Sequence, residues 1–531
     1  MGQSHIGIDY STINPSQKWR ILTHQKRYGL WAFWTSIGSM ILGYDYVIGG
    51  QLASLPEFQR KFGYEQANGD WIIPARYLSA WAAIGPACDI IAAAIAAPLL
   101  EKYGRKPQIL FAAVVSTVGV LLQQLASDWK MVLAGRGVNG IAIGILFTIS
   151  PLWIGETCRP ELRGFWLCFF NTSIVVGQFM IVAVTRGTSE LTNRWQWEAA
   201  VCSMYIWPFL LVVVYPFFPE SAYWLVREGK IDQARKSLRR MYGSGFDESF
   251  YDIEIRRFED DIRTCAQLNE GLKPYKLFGL ISLPEAEAFK KQHRKRTFTA
   301  IFAASGQQMI GATFVIGFAT YFFDLINIQN FFTASIILYV VMLLATIAVF
   351  PLSEMVGRRT LIVPGQFILC FFLLLIGIMG CIPNQTKAGW AIVVFTYLWA
   401  IIYQMTIGAT GFVLASEVAT LRLRAVTQAL VTMTNGVWGL IMQFTVPYMI
   451  NPDAGHLGGK TGFIFFGMGM IAAVGGYFLY PETKGLSFEI LDELYAAGVK
   501  PKHFKREGMK LQAQEVHSVE EIHEATPQKA G

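Results

Sequence analysis

The stretch Glu101-Lys-Tyr-Gly-Arg-Lys106 returns in the second half of the chain as Glu354-Met-Val-Gly-Arg-Arg359. Two further elements repeat in the same order and at nearly the same offset, a Glu seven residues before an Arg and a Pro-Glu-Ser/Thr triplet. They are Glu156 with Arg163, Glu417 with Arg424, Pro219 to Ser221 and Pro481 to Thr483. Three repeats at one offset indicate two homologous halves. In membrane proteins, two parallel halves of this kind are typical of alternating access to a central site.

The composition is that of a membrane protein. Of 531 residues, 53% are hydrophobic and 16% are charged, and the mean hydropathy is +0.37, too apolar for a soluble globule of this size. A run of about 20 apolar residues can cross the hydrocarbon core of a bilayer. Twelve such runs predict an all-α membrane protein of two pseudo-symmetric six-helix halves. The predicted spans 1 to 12 are 29–50, 72–99, 107–126, 130–153, 165–185, 199–218, 298–323, 331–350, 361–382, 389–415, 425–447 and 462–480.

The spans divide the chain into five segments. They are a tail (1–28), a first half (29–218), a charged linker (219–297), a second half (298–480) and a second tail (481–531). In the linker, the pattern from Ser221 to Met241 is that of an amphipathic helix, and a second helix is expected near 250–268. Lys and Arg concentrate in the tails, the linker and the Gly-Arg turns, which predicts that both termini and the linker helices lie in the cytoplasm. The net charge of +7 then reflects membrane topology and not binding to nucleic acid.

Six signatures in order across residues 20–505 resemble the sugar porters of the major facilitator superfamily. They are Gly43-Tyr-Asp45, Glu101 to Lys106, Gly135-Arg136, Pro219 to Leu225, Gln307-Gln308 with Gly311, and Pro481 to Gly485. Within that family the chain is most similar to fungal maltose and α-glucoside permeases. The matching stretches are Leu423 to Gln428, Pro447 to Pro452, Gly458 to Phe463 and Leu491 to Glu493. It departs from those permeases at Leu42, where they carry a glutamate, and at Arg136, which they usually lack.

Asp45 in span 1 and Arg136 in span 4 are ionisable residues inside apolar runs. Such residues are costly in a bilayer and are usually functional. Burial favours the neutral form of a carboxyl group and a neighbouring cation favours the carboxylate, so separating the pair would promote protonation. The resemblance implies that these positions couple proton movement to transport, and a static ion pair is the alternative. Asp89 in span 2 is either a secondary proton site or a polar contact near the cytoplasmic end.

Amide side chains in otherwise apolar spans are candidates for sugar binding. An unpaired buried hydroxyl costs about 1–3 kcal/mol, and amides offer donors and acceptors without charge. The candidates, at positions that line the sugar site in the resembled family, are Gln178, Gln307, Gln308 and Asn435, with Thr313 in place of a usual asparagine. Phe412, where many relatives have a tryptophan, and Trp438 could stack on sugar faces. The alternatives are hydrogen bonding between helices and ordinary aromatic packing.

The repeated charges predict a gate on the cytoplasmic side. Its candidate members are Glu101, Arg105, Glu156, Arg163, Glu220, Glu354, Arg358, Glu417, Arg424 and Glu482. Such clusters can hold one side shut and separate as the halves rock. Solvated loop charges that only fix topology are the alternative.

The sequence favours a transporter over an enzyme, because it has no P-loop and no metal-ligand spacing; no cofactor and no metal are expected. From the resemblance we expect a plasma-membrane protein, functional as a monomer in the bilayer, that imports a mono- or disaccharide (an α-glucoside or hexose) together with a proton. The alternatives are an uncoupled sugar facilitator and an exporter of a polyol or small secondary metabolite on the same fold. A non-transporting sugar sensor is disfavoured by the short predicted C-terminal tail.

Overall fold

The computed structural model describes residues 17–67, 69–243, 245–268, 275–277, 281–283, 293–382, 385–419, 424–484, 486 and 488–511. The described chain is helical almost throughout and forms twelve spans, which confirms the predicted all-α membrane architecture. Spans 1 to 6 are Lys26–Thr35 with Ile37–Ala53, Ala75–Tyr103, Lys106–Gln124, Trp129–Thr157, Pro160–Thr188, and Trp195–Cys202 with Ser203–Tyr205 and Ile206–Val214. Spans 7 to 12 are Arg294–Met309 with Thr313–Gly317 and Ala319–Leu325, Phe331–Val356, Arg358–Met379, Gln385–Tyr403 with Gln404–Gly408 and Ala409–Val418, Arg424–Ile450, and Thr461–Leu479.

Nine of these spans are long and apolar enough to cross a membrane by length and composition, counted over the described residues. The other three are spans 1, 7 and 11. Span 1 is divided at Ser36, and span 7 is divided by the π-helix Thr313–Gly317. Span 11 has 27 residues but carries Thr, Gln and Asn along its length.

Short elements connect the spans. The helices outside the spans are Lys18–His24, Pro56–Phe62, Ala222–Arg227, Ile231–Tyr242, Glu248–Leu268, Gly458–Lys460, Phe488–Ala496 and Pro501–His503. Two antiparallel strand pairs occur, Tyr64–Glu65 with Trp71–Ile72 and Tyr275–Leu277 with Ile281–Leu283. We call the membrane face that carries the linker helices, from Ala222 to Leu268, the linker face, and the opposite face the loop face.

The linker helices pack against the ends of the first-half spans. Tyr242 donates a hydrogen bond to the carbonyl oxygen of Thr157 at 3.0 Å, and Trp31 Nε1 donates to the carbonyl oxygen of Arg240 at 3.1 Å. The structure breaks the helix predicted from Ser221 to Met241 into two, because the chain turns at Gly229, whose φ is +73°. The second linker helix, Glu248–Leu268, agrees with the prediction.

Span 1 packs along span 5 within the first half, while the halves meet where span 2 lies along span 11 and span 5 along span 8. Two glycines allow the first of these contacts. A Cβ atom added at Gly43 would collide with the backbone of Ile174, and one added at Gly177 would collide with the backbone of Met40. The backbones of spans 1 and 5 therefore touch directly, as small residues permit in membrane helices.

Candidate functional site

Asp45 and Arg136 meet inside the first half, and both side chains are buried. Arg136 Nη2 lies 3.3 Å from Asp45 Oδ2, and Arg136 Nε donates to the carbonyl oxygen of Trp81 at 2.6 Å. Asn139, one turn after Arg136, donates to Asp45 Oδ1 at 3.0 Å, and Ser116 donates to Asn139 Oδ1 at 2.9 Å. The carboxylate thus receives hydrogen bonds on both oxygens. This arrangement holds a buried charge at low cost only while it is paired.

A cavity of about 30 Å³ opens beside this ion pair, with room for one or two water molecules. Asp45, Asp89 and Arg136 line it from spans 1, 2 and 4, and Gln443 lines it from span 11 of the second half. Two carboxyl groups and one cation therefore share one small space. Such a site can exchange a proton between the two carboxyl groups through water. Because Gln443 belongs to the second half, movement of that half changes the lining of the cavity.

The candidate sugar ligands in span 7 are held by span 10. Gln307 Nε2 donates to the carbonyl oxygen of Gly408 at 3.0 Å. This bond ties the helix before the π-helix of span 7 to the π-helix Gln404–Gly408 of span 10. Thr313, which is fully buried, has its Oγ1 atom 2.8 Å from the hydroxyl of Tyr46 in span 1.

Several of the predicted amides carry buried polar atoms without a hydrogen-bond partner among the described residues. They are Gln178 Oε1, Gln308 Oε1, and both Oδ1 and Nδ2 of Asn435. Gln404 Oε1 has the same property. An unpaired buried amide atom costs about 1–3 kcal/mol, so these groups are poised to accept or donate hydrogen bonds to a polar ligand.

The two aromatic candidates differ in what the structure describes. Trp438 is partly buried and packs against the main hydrophobic core. The side chain of Phe412 lies outside the described residues. Stacking of either ring on a sugar stays a prediction.

Hydrogen bonds join the two halves near the loop face. Gln51 Nε2 in span 1 donates to Thr320 Oγ1 in span 7 at 2.5 Å. Gln51 Oε1 accepts from Thr185 in span 5 at 2.8 Å, and Thr320 donates to Ser335 in span 8 at 2.8 Å. Each of these four residues is at most 1% exposed. A dry hydrogen-bonded chain across four helices therefore closes this side of the molecule.

A second connection closes the same face. Asn451, after span 11, donates to the carbonyl oxygen of Ile73 at 2.8 Å and to Asp453 at 2.6 Å. Asp453 in turn accepts from the backbone N–H of Ala75 at 3.0 Å. The start of span 2 is thereby fastened to the loop that follows span 11.

Three of the predicted gate residues of the first half, Arg105, Glu156 and Glu220, form one cluster on the linker face. Arg105 pairs with Glu156, and Glu156 Oε2 accepts a hydrogen bond from Ser221 at 2.6 Å. Glu220 accepts from the backbone N–H groups of Arg105 and Lys106, both at 3.0 Å. A carboxylate at that position also complements the partial positive charge at the start of span 3.

The second half repeats this cluster. Arg358 lies 2.9 Å from Glu417, and Thr483 donates to Glu417 Oε2 at 2.6 Å. Glu482 accepts from the N–H of Arg358 at 2.8 Å and from the hydroxyl of Thr360 at 3.1 Å. The sequence repeat thus corresponds to one three-dimensional motif that is built twice, each copy within its own half.

The remaining gate candidates are less tightly placed. Glu101 is exposed and lies 3.8 Å from Arg227, a linker residue. The side chains of Arg163, Glu354 and Arg424 lie outside the described residues. A clamp between the two halves stays a prediction for the whole set.

Known proteins resemble this chain over most of its length. A model of the family described as "Sugar (and other) transporter" matches residues 31–495. The chain belongs to this family. Among curated relatives, the low-affinity glucose transporter HXT3 of Saccharomyces cerevisiae is 25% identical over 476 residues, covering 88% of this chain and 82% of the relative. The MFS transporter fmqE of Aspergillus fumigatus is 27% identical over 482 residues, covering 90% and 87%.

Solved structures of similar fold include the xylose transporter XylE from E. coli in a partially occluded inward-open conformation. Its TM-score is 0.70 at 18% identity, with 87% of this chain and 100% of that chain covered. A structure of the proton:xylose symporter XylE bound to 6-bromo-6-deoxy-D-glucose has a TM-score of 0.67 at 19% identity. The match covers 89% of this chain and 100% of that chain. The chain is thus a multi-pass sugar porter of the major facilitator fold and not an enzyme. The narrower likeness to maltose permeases has weak support, since the relatives reported above are glucose and MFS transporters.

In this sugar porter, sequence reasoning missed several polar residues of the interior. They are Tyr46, Gln51, Asn139, Gln404 and Gln443. A usable signal was present for Asn139, Gln404 and Gln443, because each is an amide inside a predicted apolar run, the same property that selected Gln178 and Asn435. Gln51 lies one residue beyond the predicted first span. Tyr46 had no comparable signal, since tyrosine is common in membrane helices.

Proposed function

We propose that this sugar porter imports a mono- or disaccharide, a hexose or an α-glucoside, together with a proton, by alternating access. The observation that carries the proposal is the shared cavity of Asp45, Asp89 and Arg136. A buried carboxylate that is paired with a cation in one state and unpaired in another binds a proton more tightly in the unpaired state. Transport is coupled when sugar and proton each bind the two states unequally.

The sugar is proposed to bind among Gln178, Gln307, Gln308, Thr313 and Asn435, with Phe412 and Trp438 against its apolar faces. The unpaired amide atoms support this assignment, because a ligand rich in hydroxyl groups would satisfy them. Curated relatives that are glucose transporters support a sugar as the solute, and the proton:xylose symporter XylE supports proton coupling.

We propose that the linker face lies in the cytoplasm, as the positive-inside rule predicts. The protein is proposed to lie in the plasma membrane and to function as a monomer. The gate clusters around Arg105 and Arg358 would then lie on the cytoplasmic side. In the state described by the structure, the closed loop face corresponds to the outer side.

The deciding experiment is sugar-driven proton uptake in proteoliposomes, with glucose, maltose, sucrose and a β-linked disaccharide tested in turn. We expect external alkalinisation with at least one sugar, and loss of that signal in Asp45→Asn while sugar exchange across the membrane persists. The matched control is Asp128→Asn, because Asp128 caps span 4 outside the cavity and asparagine caps a helix equally well.

The other outcomes separate the alternatives. Sugar uptake without alkalinisation, unchanged in Asp45→Asn, would establish an uncoupled facilitator. If no sugar moves although the protein is folded, the import proposal is overturned and export of a polyol or small secondary metabolite becomes the hypothesis to test.

A further inference from the structure

Tyr46 is the chain neighbour of Asp45, and it faces both candidate sites. Its side chain lines the cavity that holds Asp45, Asp89 and Arg136. Its hydroxyl reaches Thr313 Oγ1 in span 7 at 2.8 Å. Because Thr313 belongs to the second half and Asp45 to the first, one side chain connects the proton cavity with the proposed sugar site.

The backbone around this hydrogen bond is closely packed. Thr313 begins the π-helix Thr313–Gly317, an element that often marks functional sites in helices. A Cβ atom added at Gly317 would lie 3.4 Å from the Tyr46 ring, and one added at Gly50 would lie 2.6 Å from the carbonyl oxygen of Gly317. Span 1 and the π-helix therefore touch at Tyr46 and again one turn later at Gly50, so that a displacement of one is transmitted to the other.

The chemistry of the two hydroxyl groups connects the Tyr46–Thr313 hydrogen bond with the binding of a sugar. A threonine hydroxyl offers one donor and two acceptor positions. Thr313 can therefore bind a sugar hydroxyl while its hydrogen bond with Tyr46 holds it in position. Protonation of Asp45 weakens its attraction to Arg136 and frees span 1 to shift, which moves Tyr46 with it. The strength of the Tyr46–Thr313 bond then depends on the state of the carboxyl group.

We propose that Tyr46 is a positioning residue that makes the affinity for sugar depend on protonation of the Asp45 site, through its hydrogen bond to Thr313. This inference rests on the proposed function. It predicts that removing the Tyr46 hydroxyl separates sugar binding from proton binding without removing either site.

The chain offers a matched control two residues away. Tyr44 is also buried in span 1. Its hydroxyl hydrogen-bonds to Ser203 and to the carbonyl oxygen of Ala200, and both residues belong to span 6 of the first half. Tyr44→Phe and Tyr46→Phe remove the same atom from the same helix. Only the second loses a contact between the halves.

The experiment measures KM and kcat for sugar uptake in proteoliposomes at acidic and neutral external pH. Tyr46→Phe should raise KM at acidic pH by about three- to tenfold, the value of one hydrogen bond, and should leave KM nearly independent of pH. Thr313→Val should also abolish the pH dependence of KM, with a larger rise in KM because Thr313 is itself a proposed sugar ligand. The double variant should be no worse than Thr313→Val alone, because the two residues act as a pair. Thr313→Ser, which keeps the hydroxyl, and Tyr44→Phe should retain the pH dependence of the wild type.

Two failures are distinguishable. If the wild type couples sugar to protons and Tyr46→Phe keeps the wild-type dependence of KM on pH, this inference is overturned while the proposed function stands. If the wild type shows no sugar-driven proton uptake, the proposed function fails and the inference falls with it. Should Tyr46→Phe fail to fold, Thr313→Val compared with Thr313→Ser decides the same question from the other side of the hydrogen bond.

Discussion

At the scale of single residues, the position of Asp45 depends on glycines in the same helix and its neighbours. Gly43 lets span 1 lie against the backbone of span 5, and Gly85 in span 2 leaves room for Asp45, whose Oδ2 atom would be 3.5 Å from a Cβ added there. A methyl group at Gly43 would force spans 1 and 5 apart, whereas one at Gly85 would make only an ordinary van der Waals contact with the carboxyl group. The ion pair is therefore a consequence of close helix packing as well as of charge.

Gly43→Ala should accordingly lower the melting temperature and abolish sugar uptake. The added methyl group must separate spans 1 and 5, and overpacking of this kind costs about 1–3 kcal/mol. Gly49→Ala is the control, because nothing lies within 4 Å of a Cβ there and alanine favours a helix over glycine by about 0.5–1 kcal/mol. A Gly43→Ala protein that melts and transports like the control would contradict the packing argument.

The sequence predicted the Asp45–Arg136 pair because charges inside apolar runs are rare, and the structure brings these two side chains together. It could not predict that Asn139 completes the site, since a hydrogen bond between spans 1 and 4 depends on their rotation about their axes. Selection of the sugar candidates relied on family positions, which is why Gln51, Gln404 and Gln443 were passed over although each is an amide in an apolar helix. Gln51 bonds to residues of spans 5 and 7, and Gln443 lines a cavity formed with spans 1, 2 and 4. Residue spacing along one chain carries no information about such neighbours.

At the scale of elements, the spans themselves were readable from hydropathy, but the interruptions inside them were not. Neither Thr313–Gly317 nor Gln404–Gly408 contains a proline, yet both are π-helices. The bond from Gln307 to the carbonyl oxygen of Gly408 joins the helix before the first π-helix to the end of the second. Packing between spans 7 and 10 decides these local conformations, so the sequence of either span alone is insufficient.

The linker helix Glu248–Leu268 is attached to the first half through a buried charge. Arg159 Nη1, at the start of span 5, lies 2.5 Å from Glu254 Oε1, and both side chains are at most 2% exposed. Arg257 lies 2.8 Å from the other oxygen of Glu254. A buried carboxylate between two guanidinium groups fixes the helix in one register on the end of the span.

Glu254→Ala should detach this helix, because removing one partner of a buried ion pair costs about 3–5 kcal/mol. We expect a lower melting temperature and faster proteolysis within the linker. Glu248→Ala in the same helix is the control, since Glu248 is 59% exposed where it pairs with Arg235 and Arg239 and such surface pairs contribute at most about 1 kcal/mol. Equal proteolysis of the two variants would show that Glu254 does not hold the linker.

At the scale of the whole molecule, the two halves carry the same charge motif on the linker face, while their hydrogen bonds to each other lie toward the loop face. Glu220 and Glu482 accept hydrogen bonds from equivalent turns that precede spans 3 and 9. In these turns Gly104 has a φ of +85° and Gly357 a φ of +104°. A Cβ at either glycine would lie 2.7 Å from the glutamate Oε2 atom. Each half is thus stiffened internally, which suits movement of the halves as rigid bodies.

Rigid halves that alternate between two states must break the hydrogen-bonded series Thr185–Gln51–Thr320–Ser335 whenever the loop face opens. Gln51 holds the centre of this chain, since its amide donates to one half and accepts from the other. Gln51→Leu keeps a similar volume but removes both hydrogen bonds, each worth about 0.5–1.5 kcal/mol net. The ratio of closed to open loop-face states should therefore fall on the order of tenfold, because about 1.4 kcal/mol corresponds to a factor of ten.

Spin labels on the loop face would measure this shift, attached to Glu65→Cys in the first half and Gln329→Cys in the second, with native cysteines replaced by alanine. In Gln51→Leu the distance distribution between the labels should gain population at longer separations. Gln123→Leu is the matched control, because Gln123 is equally buried but, among the residues that the structure describes, its amide bonds only to the carbonyl oxygen of Gly119 in its own span. If Gln51→Leu and Gln123→Leu give the same distribution, the closed face is held by the Asn451–Ile73 connection instead, and Asn451→Leu should then produce the shift.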